Sequence, residues 1–213
     1  MLVNKYGKPV KLLGINGFKR AGKDTLARTI CELDSTVSHL SLGYRLKKEV
    51  AGIFNYNQAY VLCEISKDLP LPEPMCLDLH IDKIKAVTGL DNVKEHRKCA
   101  YTMRQLLQYY GTEYIRDAKP TYWFDCIEKT INEGKATKAI VSDIRFENEK
   151  NWIKSNGGVV VRIYRDGVRF NNKETHASEQ FDFETDQAFD IGSGNQKQFH
   201  DAAIECLKVL SNE

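Results

Sequence analysis

No stretch of this 213-residue chain approaches the roughly 20 consecutive apolar residues that a membrane helix requires, and no signal-peptide pattern follows Met1. Both absences predict a soluble, cytoplasmic protein with no membrane partner. The net charge is only +2, too little for the broad basic face that a nucleic-acid polymer would need, although a local cluster can still hold a phosphate. Six cysteines (31, 63, 76, 99, 126 and 206) include no CxxC pair. In a cytosolic setting they are expected to stay reduced, as small core or surface residues. Internal repeats and low-complexity tracts are also missing. Of only five prolines, three fall in KDLPLPEP, so the rest of the chain is little interrupted.

What is present is alternation. The apolar run VKLLGIN (10–16) reads as a strand buried on both faces, and Leu26, Ile30 and Leu33 recur behind it at helical spacing. VSHLSL (37–42) reads as a second strand, followed by a basic amphipathic helix from about 45 to 54. Met103, Leu106, Leu107 and Tyr110 mark another helix, which GTE would end at its glycine; Trp123, Ile127 and Ile131 mark the next. KAIVSD (138–143) and GGVVVRIY (157–164) read as buried strands joined by the helix ENEKNWIKS, and a last helix covers about 196–210. Strand and helix in turn predict an α/β fold: a mostly parallel central sheet flanked by helices in three layers, with ligands at the carboxyl ends of the strands. The length suits one domain over 1–213.

Residues 55–99 break the rhythm and read as an insertion within that domain, a lid or a subdomain on the substrate side. Cys76, His80, His96 and Cys99 lie inside it. Their spacing matches no established zinc motif, and a metal clamp is the minor reading against a plain loop-and-helix insertion.

GFKRAGKDT (17–25) supplies the chemistry. GxxxxGK between a buried strand and a helix is the context of a phosphate-binding loop: Gly17 and Gly22 let backbone N–H groups converge on phosphates, and the following helix adds its positive dipole end. Lys23 would bridge the β- and γ-phosphates, and Lys19 and Arg20 make the loop more cationic. Asp24 stands where such loops carry Ser or Thr. It binds Mg²⁺ directly or through water, or acts on the acceptor side, while Thr25 offers a hydroxyl one position later.

Two further stretches complete the set. In MRQLLQYYGTEYIRDAKPTYWFD, Arg104 and Gln108 share a helical face; Arg104 can clamp a phosphate, and Trp123 offers a flat surface for a base. In AIVSDIRFENE a strand ends at Ser142 and Asp143, which puts a carboxylate at the sheet edge where Mg²⁺ and its waters sit; Arg145 and Glu149 either pair with each other or hold substrate.

With HASE (176–179) and FDIGSGN (189–195), these motifs in this order resemble the phage deoxynucleoside monophosphate kinase family over most of the chain outside 55–99. The resemblance implies an adenylate-kinase-like P-loop fold that transfers the γ-phosphate of ATP, with Mg²⁺, to a dNMP, giving a dNDP for phage DNA synthesis. GKDT is common in that family, so Asp24 is a family feature. It further implies that Gly17, Lys19, Gly22, Lys23, Asp24 and Thr25 hold ATP and its metal, with Asp143 a third candidate for the metal. Lys47, Arg104, Gly111, Thr112, Trp123, Arg145 and Glu149 would face the acceptor. Lys23, Asp143, Arg104 and Arg145 would carry the transfer. Family members often read ADPLK where this chain reads GYRLK; Lys47 keeps the lysine, and Tyr44 and Arg45 replace an acid and a proline. The family also includes homodimers.

Phosphoryl transfer needs alignment, charge neutralisation and exclusion of water, with no covalent intermediate. The segment 55–99, or that around Arg165 and Arg169, is expected to close over the site, with those two arginines on the adenine side. His176 and Glu179 are left out of the catalytic set because a phosphate acceptor is already anionic. The alternatives are a P-loop kinase of another acceptor, such as a modified base in DNA, and a non-catalytic nucleotide-binding partner protein.

Overall fold

The computed structural model describes residues 1–168 and 183–211. It divides into two compact units, one made of 1–42 with 126–213 and the other of 43–125. The break in rhythm read at 55–99 falls inside the second unit, which begins earlier and ends later.

In the first unit, among the described residues, five strands form a wholly parallel sheet in the order β2-β5-β1-β6-β7. These are β1 (Lys11–Asn16), β2 (Val37–Ser41), β5 (Lys138–Ser142), β6 (Val159–Tyr164) and β7 (Gln187–Asp190). The run LLGI in β1 is buried on both faces because the strand is central and helices cover both sides. On one face Leu13, Ile15, Ile140, Val161 and Ile163 pack with Leu26, Ala27 and Ile30 of α1 (Lys23–Leu33) and with Phe199, Ala203, Cys206 and Leu210 of α8 (Gln196–Ser211). On the other, Gly14 admits Ile153 of α7 (Glu147–Ser155): a Cβ on Gly14 would lie 3.4 Å from the Ile153 Cγ1. Thr130 and Ile131, from the end of α6 (Tyr122–Glu133), line a hollow on that face with Val10, Leu40 and Ala139. The expected three layers are therefore present. The short edge strand β7 was not read from the sequence.

The second unit holds α2 (Leu42–Ile53), apart from its first residue, and α3 (Gln58–Leu62), then an antiparallel pair, β3 (Pro70–Cys76) and β4 (Cys99–Thr102), with α4 (Ile81–Thr88) in the connection. Next come α5 (Met103–Gln108) and a π-helical stretch over Tyr109–Arg116. The sequence reading ended the helix at Gly111; the structure carries it through. Gly111 serves close packing instead, since a Cβ there would lie 2.3 Å from Leu46 Cδ1. The expectation that every cysteine stays reduced is corrected at one pair. The register of β3 and β4 sets Cys76 opposite Cys99, and the two form a disulfide. Cys206 remains a thiol in the core, where burial pushes it up to about 12. No group of three His, Cys, Asp or Glu side chains suited to a metal occurs among the described residues, so the Cys76, His80, His96 and Cys99 clamp does not form. Among the described residues no helix is long and apolar enough to cross a membrane.

Candidate active site

The site of the first unit gathers at the carboxyl ends of β1, β2 and β5. β1 runs into the glycine loop, and α1 starts at Lys23 behind Gly22, whose φ of 95° lies in the left-handed region that favours glycine. No side chain caps this helix, so its first-turn amides are the donors that an anion takes at a helix start. Gly17 is pinned by contact as well as by conformation: a Cβ would sit 2.9 Å from the Ile163 carbonyl oxygen. Lys23 is buried, and its ammonium donates to the carbonyls of Gly17 at 2.8 Å and Phe18 at 3.1 Å. The lysine thus lies folded along the loop that it would serve. Lys19 is half-buried, while Asp24 and Thr25 are exposed.

Asp143 sits directly after β5 with φ 66°, a left-handed conformation uncommon for a residue with a side chain and typical of positions held for function. Its Oδ1 lies 3.9 Å from both Lys23 Nζ and Arg145 Nη2, and its Oδ2 accepts from Ser41 Oγ at 3.3 Å. Ser142 is fully buried; its Oγ lies 2.9 Å from His39 Nε2 and 3.5 Å from Asp24 Oδ1. Burial lowers the His39 pKa, and the carboxylates of Asp24 and Asp143 only partly oppose this. The neutral ring is the favoured form. His39, Ser41 and Ser142 form a polar shelf beside the two aspartates. The sequence signal for it was faint: polar residues at the ends of apolar strands.

Glu149 was read as either pairing with Arg145 or holding substrate, and the structure places it inside the turn after β5. It is 1% exposed, and its Oε2 accepts from the backbone amides of Arg145 at 2.7 Å and Phe146 at 3.0 Å. It fixes the turn that presents Asp143 and Arg145. Asn16, at the end of β1, makes a parallel tie, donating to the Ile144 carbonyl at 2.6 Å and accepting from Arg162 Nε at 2.6 Å. Neither Asn16 nor Arg162 was singled out in the sequence. Arg165 reaches the glycine loop, with Nη1 3.5 Å from the Arg20 carbonyl; Arg169, His176 and Glu179 lie outside the described residues.

In the second unit, Arg104 meets carboxylates. Its Nε and Nη2 reach the two oxygens of Asp68 at 2.5 and 3.0 Å, and Glu64 lies 3.8 Å away. Trp123 is 2% exposed; its Nε1 donates to the Gly111 carbonyl at 3.1 Å, and Tyr110 and Tyr122 meet its ring edge-on. The stacking surface expected of Trp123 is thus inside the fold, because its indole bridges α6 to the π-helical stretch. Lys47 and Thr112 are half-buried.

The donors suit a hard cation held largely by phosphates. Asp24, Asp143 and the neighbouring hydroxyls are all oxygens, and Mg²⁺ commonly takes one or two carboxylates together with substrate phosphates and water. A parallel sheet with a strand, glycine loop and helix, a buried loop lysine and a carboxylate at the next strand's end define a P-loop nucleotide-binding protein of the kinase type.

A family model described as deoxynucleotide monophosphate kinase matches residues 61–189, and the chain belongs to that family. A protein of Acanthamoeba polyphaga mimivirus named for the same kinase activity is 27% identical over 159 residues, covering 64% of this chain and 78% of that protein. Among solved structures, shikimate kinase from Bacteroides thetaiotaomicron aligns over 95% of this chain and 99% of its own, with 10% identity and a TM-score of 0.43. The Mycobacterium tuberculosis APS kinase aligns over 96% and 99%, with 12% identity and a TM-score of 0.36.

Proposed function

We propose that the chain transfers the γ-phosphoryl group of ATP to a deoxynucleoside monophosphate, giving a dNDP and ADP, with Mg²⁺ held at Asp24 and Asp143. The observation that carries the assignment of the site is the approach of Lys23 to Asp143 at 3.9 Å at the end of the glycine loop. One residue would be a cation for the β- and γ-phosphates and the other a carboxylate that would hold the metal. Bound there, Mg²⁺ supplies neutralisation of the charge that spreads over the transferring group.

The chain's own residues do the rest. Gly17, Gly22 and the first turn of α1, with Thr25, receive the triphosphate; Lys19 adds positive charge, and Lys23 exchanges its loop carbonyls for phosphate oxygens. Arg145, fixed through Glu149, faces the transferring group. Lys47, Thr112 and Arg104 serve the acceptor, Arg104 by releasing Asp68. The cytoplasm, of a host cell for a viral chain, is where ATP, Mg²⁺ and dNMP occur together.

The test is ADP release with ATP and Mg²⁺ across dAMP, dGMP, dCMP, dTMP and 5-hydroxymethyl-dCMP, with AMP, shikimate and duplex DNA as comparison acceptors and Lys23→Ala as the control. Turnover with one or more dNMPs, reduced by about 100-fold or more in the variant, is the expected result. Turnover with DNA and none with mononucleotides would overturn it.

A further inference from the structure

Ser142 puts a hydroxyl at the end of an otherwise apolar strand. It follows Ala139, Ile140 and Val141 in β5 and is fully buried, and a buried hydroxyl is tolerated where its proton and lone pairs find partners. The sheet and α1 supply them. In the register of β2 with β5, His39 lies opposite Ile140 and Ser41 opposite Ser142, so these four side chains share one face of the sheet. Ile140 packs there with Leu26 and Ile30 of α1, the helix whose first turn carries Asp24. Ser142 Oγ accordingly stands between His39 Nε2 at 2.9 Å and Asp24 Oδ1 at 3.5 Å. All of these residues belong to the first unit.

The chemistry of the three groups gives the contacts a direction. A carboxylate only accepts, so the Ser142 proton goes to Asp24. The Ser142 oxygen then accepts from the ring, which calls for a proton on His39 Nε2. The chain runs from His39 Nε2–H to Ser142 Oγ, and from the Ser142 O–H to Asp24 Oδ1. Its far end is the residue that stands where other phosphate loops carry Ser or Thr. A serine there has one side-chain torsion to its oxygen, whereas an aspartate has two to fix. Asp24 is exposed, and a hydrogen bond from a buried hydroxyl on an interior strand restrains it before any ligand arrives. Partners of this kind orient metal ligands generally.

We infer that Ser142 and His39 are positioning residues for Asp24: His39 holds the Ser142 hydroxyl, and the hydroxyl holds the carboxylate for the divalent cation of the nucleotide complex. The inference rests on the reading of Asp24 as a holder of Mg²⁺ and adds two residues that act through it.

The experiment is calorimetric binding of AMP-PNP, a non-hydrolysable ATP analogue, in Mg²⁺ and in EDTA. It compares the wild type with Ser142→Ala, His39→Ala, His39→Gln, Asp24→Asn and the double variant D24N/H39A. The ratio of the two affinities is the contribution of the metal. Ser142→Ala is expected to reduce that ratio by about 10-fold or more, the scale of losing an outer partner of a metal ligand, with the affinity in EDTA unchanged. His39→Ala should act in the same direction by less. His39→Gln, whose amide nitrogen can stand in for Nε2, should keep most of the wild-type ratio. In the Asp24→Asn background His39→Ala should have no further effect. An unchanged ratio in both alanine variants would overturn the inference, as would equal losses in Mg²⁺ and in EDTA or a further loss in D24N/H39A. If Ser142→Ala fails to fold, the His39 variants carry the test, since that position is on the edge strand and open to solvent. Metal-dependent binding with these losses but no transfer to any dNMP overturns only the kinase reading. Wild-type binding indifferent to Mg²⁺ overturns the inference, and dNMP turnover in the same preparation would leave the kinase reading standing.

Discussion

Gly22 and Phe199 meet so closely that a Cβ on the glycine would lie 2.4 Å from the Phe199 Cζ. The floor of the glycine loop is thus the side chain of the last helix, more than 170 residues away in the chain. Gly22→Ala meets two penalties: a left-handed backbone, about 1–2 kcal/mol, and overpacking, about 1–3 kcal/mol. A loss of about 2–5 kcal/mol in urea unfolding is expected, with weaker ATP binding. Adding Phe199→Leu should restore only the packing part, so full recovery in the double variant would show that the φ cost is negligible.

Glu149 predicts a different kind of loss. Glu149→Ala leaves the Arg145 and Phe146 amides without their acceptor, a cost of about 1–3 kcal/mol. Turnover should fall through displacement of Asp143 and Arg145, with little change in KM for dNMP. A large rise in KM for dNMP at unchanged stability would return Glu149 to the substrate contacts.

Arg104 and Asp68 make a two-pronged ion pair. If the arginine serves the acceptor phosphate, Asp68 competes with it. Asp68→Asn should then lower KM for dNMP by about 2- to 5-fold, the scale of an exposed ion pair. An unchanged KM would leave Arg104 a structural partner of Asp68.

Acid stability has a local source at Asp34. The hydroxyl of Thr36, then Lys138, then the Thr36 amide hold its carboxyl down from 3.8 to about 2. Because the folded value lies below the unfolded one, the stabilisation is fully present above pH 3.8 and is lost as pH falls through about 2. Asp34→Asn should cost about 0.2–1 kcal/mol at neutral pH, as partly exposed pairs do, and the difference from wild type should shrink as pH falls toward about 2 and vanish below it. A difference that persists there would assign the effect to packing.

The sequence by itself determined the sheet and the loop. A run such as LLGI has no polar face and is too short for a helix, which with the glycine loop behind it reads as a strand buried on both sides, and GxxxxGK in that context has few other uses. Local pattern sufficed because an all-apolar run ahead of a glycine loop is itself the signature of a strand covered on both faces, and the loop's conformation is set by its own glycines. The roles of particular polar residues were decided only in the tertiary structure. Trp123 and Glu149 were read as ligand contacts from their place in the chain; only the fold shows that both are buried, one donating to the Gly111 carbonyl and the other accepting from the amides of a turn. Glu49 was not singled out in the sequence at all, and only the fold brings the Tyr110 and Tyr122 hydroxyls to it. Likewise Cys76 and Cys99, 23 residues apart, became neighbours only through the register of two strands. A side chain's exposure and partners depend on what the rest of the chain brings to it, and that distance-independent information is absent from any local stretch of sequence.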